Sequence, residues 1–104
     1  MVLSRGDDHA NSCDTLGAAE ILGALASPHR LAIVRLLAEH DRDVSDLAAN
    51  LGISMASTSH HLGRLRRAGL VISRRHGTHI TNRLAALDVT QITGAACAVV
   101  RNRS

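Results

Sequence analysis

"DLAANLGISMASTSHHLGRLRRAGLV", residues 46–71, is the stretch whose reading decides the fold. Leu47 and Leu51 stand one helical turn apart, and Gly52 follows them, the residue that most readily takes the left-handed conformation that ends a helix. Ser54 can then cap a second helix over residues 55–68, which stops at Gly69. A short helix, a tight turn with glycine and a second helix make a helix-turn-helix, in which the second helix enters the major groove of DNA.

The second helix carries two adjacent histidines. Neighbouring helical residues point about 100° apart, so His60 and His61 cannot close on one ion as residues four apart can. Thr58, Leu62 and Leu65 recur at i, i+4 and i+7 and predict a core-facing stripe. That puts His61 at the edge of the stripe and His60 on the open side with Ser57, Arg64 and Arg67.

Upstream, "SPHRLAIVRLLAEH" (27–40) is the clearest helix start, with Ser27 as N-cap and Pro28 at the first helical position. Leu31, Val34 and Leu36 or Leu37 supply its stripe. "CDTLGAAEILGALA" (13–26) places Leu16, Ala19, Ile21 or Leu22, and Leu25 at helical spacing. Downstream, the β-prone runs "LVISRR" (70–75) and "THITNRL" (78–84) flank "HG" and predict a hairpin, which follows the second helix directly and so forms a wing. A last helix, about 86–101, carries Val89, Ile92, Ala96 and Val99 or Val100, an apolar stripe that calls for a partner subunit. The predicted architecture is mainly α with a β-hairpin wing: a polar arm over residues 1–12, then one winged helix-turn-helix domain over 13–104 with five helices.

Composition points to the same partner. The chain of 104 residues has no aromatic residue, which excludes recognition of single strands by base stacking and leaves the core to aliphatic side chains. All 12 basic side chains of the Lys+Arg class are arginine, against 9 acids. Arg64, Arg66, Arg67, Arg74 and Arg75 crowd into a stretch without an acid, the electrostatic footprint expected for duplex DNA. No apolar run has the length of a membrane span and the start lacks a signal peptide, so a cytoplasmic location is expected. Cys13 and Cys97 are expected as free thiols. No Ser-His-Asp order, phosphate-binding glycine loop or H-E-x-x-H motif points to an enzyme.

From "LASPHRLAIVRLL" through "DLAANLGISMASTSHHLGRLRRAGLVISRRHGTHITNRL", roughly residues 20–87, the chain resembles the ArsR/SmtB family of bacterial winged-helix transcription regulators. The resemblance implies a homodimer joined by its first and last helices, bound to double-stranded operator DNA, and in many members released when a metal binds. It makes Ser59 and His60 groove-facing residues of the recognition helix. Arg64 and Arg67 then suit phosphates, and Arg74, Arg75 and His76 in the wing reach backbone or minor groove. Met55 and Ala56 stand where the family often has polar base-contacting residues and offer only apolar contact, for example to a thymine methyl. Ser57 completes the expected DNA-binding set.

The family's metal positions depart further. A cysteine pair on the third helix is matched by Asp43 and Ser45, and the four ligands of the last helix by Asp88, Thr90, Arg101 and Ser104. The remaining mixed donor set is Asp7, Asp8, His9 and Cys13 in the arm, suited to nickel, cobalt or zinc. The expectation is therefore a sequence-specific regulator responding to nickel or zinc through the arm. The alternatives are a DNA-binding subunit served by a separate sensor protein, and a thiol-redox regulator using Cys13 and Cys97.

Overall fold

Four of the helices begin where a side-chain oxygen can satisfy an N–H that the first turn leaves without a partner. In the computed structural model, which describes residues 14–103, Asp14 caps α1 (Thr15–Leu25), accepting from Leu16 N–H at 3.1 Å. Ser27 caps α2 (Pro28–Glu39) through Arg30 N–H at 3.3 Å, with Pro28 at its first position. Asp43 caps α3 (Val44–Leu51) through Asp46 N–H at 2.8 Å, and Ser54 caps α4 (Met55–Arg67) through Ser57 N–H at 3.0 Å. The strands β1 (Val71–His76) and β2 (His79–Leu84) form an antiparallel hairpin, and α5 (Val89–Asn102) closes the chain. Five helices and a wing are thus the architecture of the described residues.

Two boundaries differ from the sequence reading. The wing turn is not "HG": His76 pairs with His79, which leaves Gly77 and Thr78 as a two-residue loop. Gly77 takes φ +65° while Thr78 stays at negative φ, the pattern of a type II′ turn, whose twist suits a hairpin. The last helix starts at Val89 rather than near 86, because Ala86 and Leu87 accept tighter i→i+3 bonds from Val89 and Thr90 N–H.

The turn of the helix-turn-helix is as read. Gly52 has φ +70°, and its N–H and that of Ile53 both reach back to the Ala48 carbonyl, at 2.9 and 3.3 Å. The core is aliphatic throughout: Ile33, Val34 and Leu37 from α2, Leu47 from α3, Leu62 and Leu65 from α4, then Leu70, Val71 and Val89. Thr58, Leu62 and Leu65 are the buried stripe of α4, and the Thr58 hydroxyl donates to the Ser54 carbonyl at 2.9 Å, so its burial leaves no orphan. Ile33 is buried although it lies outside the stripe read from α2, because α2 packs on α1, α3, α4, α5 and β2 at once. By contrast Leu16 and Leu22 on α1, Leu87, and Val99 and Val100 on α5 are exposed. No single helix among the described residues is long and apolar enough to cross a membrane.

Leu62, 1% exposed at the centre of this core, has no flexible aromatic neighbour that could fill a void. Leu62→Ala should cost about 2–4 kcal/mol, read as a fall in urea midpoint with unchanged slope.

Candidate nucleic-acid interface

Steps of about 100° along α4 sort its side chains once Thr58, Leu62 and Leu65 are fixed inward. Ala56, His60, Gly63 and Arg67 then run along the outward midline. Met55, Ser59 and Arg66 flank it on the wing side, and Ser57 and Arg64 on the α1 side. Met55, Ala56, Ser57, Ser59, His60, Arg66 and Arg67 are exposed. Gly63 lies under the guanidinium groups of Arg66 and Arg67, which would stand 3.6 and 3.5 Å from a Cβ placed there. Arg64 stands at the α1 edge of the open face rather than squarely on it as the sequence reading had it. It is half-buried and lines, with Gly17, Ala18, Ile21 and Arg67, a cleft of about 600 Å³ between α1 and α4. Arg64 lies four residues from His60, so it sits about 40° further round toward α1.

The two histidines divide as expected from their angular offset. His60 is exposed, and His61 is half-buried between α2 and α4. Arg30 of α2 lies with Nη1 3.3 Å from His61 Nδ1, and the His29 ring centroid is 5.4 Å from that of His61. A guanidinium only donates, so Nδ1 must hold a lone pair and the His61 proton must sit on Nε2. Burial, then the charge of Arg30, then His29 and His60 push the His61 imidazole below its ordinary value of 6.5.

Strand alternation separates the wing residues. Arg74 and His76 share one face with Ile72, His79 and Arg83, whereas Arg75 lies on the opposite face with Ser73, Ile80 and Asn82. Reading Arg74, Arg75 and His76 as one patch therefore joined two faces of a ribbon, although all three are exposed. Arg66, which the sequence reading counted in the basic stretch but not in the contact set, is exposed on the wing side of α4. Its Nη1 donates to Ser73 Oγ at 3.1 Å, tying the end of α4 to the base of the wing. The signal was the absence of any acid near Arg66, Arg74 and Arg75 in sequence; the missing step was which face each takes.

A sequence model for bacterial regulatory proteins of the arsR family matches residues 27–73. The HTH-type transcriptional regulator Rv0081 of Mycobacterium tuberculosis is 39% identical over 79 residues, which cover 75% of this chain and 69% of that one. The chain belongs to the ArsR/SmtB family. A second M. tuberculosis relative, the HTH-type transcriptional regulator NmtR, is 37% identical over 86 residues, covering 80% of this chain and 72% of NmtR. Among solved structures, the homodimeric winged helix-turn-helix DNA-binding domain of Mb0332 from Mycobacterium bovis superposes with a TM-score of 0.77 at 30% identity, over 99% of this chain and 93% of that one. These ArsR/SmtB relatives are transcriptional regulators that bind DNA, not enzymes.

The metal positions that the ArsR/SmtB resemblance implies do not fit a cation here. Asp43 Oδ1 accepts from Asp46 N–H at 2.8 Å and from the Ser45 hydroxyl at 2.9 Å, and Oδ2 faces His79 Nε2 at 3.6 Å. These bonds, the Asp46 N–H first, hold the Asp43 carboxyl below the ordinary carboxylate range. On α5 the Thr90 hydroxyl donates to the Leu87 carbonyl at 2.7 Å, and Arg101 brings a positive charge. Among the described residues no group of three or more His, Cys, Asp or Glu could hold a metal ion. Asp7, Asp8, His9, Cys13 and Ser104 lie outside the described residues. Cys97 is a free, half-buried thiol.

The His61 geometry sets a pH dependence. The folded state keeps His61 neutral below the pH at which the unfolded chain protonates it, so the unfolded state binds more protons. Stability is full above about pH 6.5 and is lost as pH falls toward the lowered folded value. Comparing urea unfolding at pH 7.5 and 5.5, the wild type should lose more stability on acidification than His61→Gln, whose amide still accepts from Arg30.

Proposed function

We propose that this chain is a homodimeric, sequence-specific DNA-binding transcription regulator that places one α4 in the major groove of each half-site. The observation that carries this reading is the exposed α4 face, with serine, histidine and arginine and no acid, set beside a wing bearing Arg74, Arg75 and His76. Ser59 and His60 offer donors and acceptors to base edges, while Met55 and Ala56 offer apolar contact. Arg67, with Ser57 and Arg64 on the α1 side, serves phosphates, and the wing arginines serve backbone or minor groove. The exposed Leu16, Leu22, Val99 and Val100 on the first and last helices support dimerisation there, the arrangement the resemblance implies. The dimer acts in the cytoplasm on double-stranded operator DNA.

A response to nickel or zinc would have to come from Asp7, Asp8, His9 and Cys13, since the α3 and α5 positions are otherwise engaged. Fluorescence anisotropy on a duplex selected by the chain from a random pool tests both readings, run first with chelator and then with each metal. Specific affinity that shifts with one metal, and no longer shifts in His9→Ala and Cys13→Ser, supports the arm as sensor. Specific affinity that no metal moves assigns sensing to a separate protein or to the Cys13 and Cys97 thiols. Equal affinity for selected and random duplexes overturns sequence specificity.

On the selected duplex, His60→Ala should cost about 1–3 kcal/mol and leave random-duplex binding unchanged. Arg67→Ala should weaken both duplexes alike and reduce the salt slope by about one.

A further inference from the structure

A continuous run of hydrogen bonds leads from the end of α4 through the wing into the turn before α3. Arg66 Nη1 donates to Ser73 Oγ at 3.1 Å, Ser73 Oγ donates to Asn82 Oδ1 at 2.7 Å, and Asn82 Nδ2 donates to the Arg42 carbonyl at 3.1 Å. Every donor in the run points the same way. A carbonyl can only accept, so the Asn82 amide is oriented with its nitrogen toward Arg42 and its oxygen toward Ser73. In such a run each bond polarises the next, and removing a middle member affects both ends.

Asn82 is 1% exposed, and its amide has no role in the core beyond these bonds. Its backbone is engaged with the same neighbour: Arg42 N–H donates to the Asn82 carbonyl at 3.1 Å and Asn82 N–H to the Arg42 carbonyl at 2.8 Å. Arg42 is itself fixed, its guanidinium donating to the Leu36 carbonyl at 3.0 Å, to Asp46 at 2.8 Å and to Glu39. The run is thus anchored at one end in an immobile arginine. At the other end Arg66 is exposed, no ion pair with a carboxylate is found for it among the described residues, and only one of the five guanidinium N–H groups is taken by Ser73. That guanidinium sits in the notch between α4 and the wing, the two elements that the proposed function lays against DNA.

We propose that Asn82 is a positioning residue for DNA binding: through Ser73 it aims the Arg66 guanidinium at a backbone phosphate passing between α4 and the wing. The proposal rests on the DNA-binding reading above. Asn82 touches no DNA itself. Its part is to hold Ser73 as an acceptor, so that Arg66 enters the complex already ordered and loses less side-chain entropy on binding.

A double-mutant cycle on a duplex selected from a random pool by the wild-type chain tests this. Arg66→Ala should lower affinity roughly tenfold and make the salt slope shallower by about one per chain bound, whereas Ser73→Ala and Asn82→Ala should each lower affinity several-fold with the slope kept. Ser73→Ala introduced into Arg66→Ala should add less than about a twofold change, since Ser73 then has no guanidinium to position. Ser73→Ala leaves the Asn82 pairing with Arg42 in place and carries the test if Asn82→Ala does not fold. Wild-type affinity in Ser73→Ala, or losses that multiply in the double variant, overturn the positioning role while DNA binding stands. Failure of the wild-type chain to enrich any duplex overturns the DNA-binding reading and this inference with it.

Discussion

A two-stranded hairpin is marginal in water on its own, and this wing has little apolar area with which to hold itself down. What fixes it is the backbone exchange between Arg42 and Asn82, which adds a third, single-residue rung to the outer edge of β2. Val71 and Leu84 pin the base of the ribbon to the core, and the Arg42 rung sets its angle. Arg42 can act as that rung only because Leu36, Glu39 and Asp46 take up its side chain. The strongest of these, Asp46, raises the guanidinium above its ordinary value, so the charge is held where it is needed. The turn between α2 and α3, a loop by length, is thereby the stiff corner on which the wing and the helix-turn-helix keep a constant relation.

The aliphatic core has a different consequence. Without aromatic side chains, helices approach closely and the burial of each Leu, Ile or Val must be nearly complete to be worth about 1.5–3 kcal/mol. Ile33, Val34, Leu47, Leu62 and Leu65 reach that condition, all at 1% exposure or less. On α1 and α5 only Leu25 and Val89 among the large aliphatic side chains come near it, at 4% and 5% exposure. The outer apolar residues of these two helices remain in contact with solvent in the single chain, so a large part of the apolar surface gains nothing until another subunit covers it. A second copy covering the outer faces of α1 and α5 is the outcome the distribution of apolar side chains favours, and the Mb0332 domain is homodimeric.

The starts of α2 and α4 and the end of α3 were legible because capping is local: Ser27 with Pro28, Ser54, and Gly52 act on bonds within four residues. The inward stripe of α4 was legible for the same reason, since a 3.6-residue period needs no knowledge of the neighbour. What could not be read were relations between elements. Arg64 counts as outward until α1 is laid beside it, and Arg75 counts with Arg74 until the register of the hairpin sets their faces. Asn82 is an undistinguished polar residue in a β-prone run, and nothing local shows that it is buried against a loop forty positions earlier. The turn was misplaced by one residue because "HG" and "GT" both satisfy local turn chemistry, and only strand pairing chooses between them.

The start of α3 shows how one carboxylate can be turned from one task to another. Asp43 stands where the resemblance implies a metal ligand, but its oxygens are committed to the helix cap, to Ser45 and to His79 of the wing. A cation there would have to displace a cap worth about 1 kcal/mol and the Ser45 hydroxyl. The position that could have sensed a metal instead joins the wing to the helix-turn-helix, on the face of the ribbon opposite Asn82. The contact of His61 with Arg30 is of another kind, lost when His61 Nδ1 gains a proton. Acid therefore loosens the seat of α4 on α2, because that contact needs a neutral imidazole.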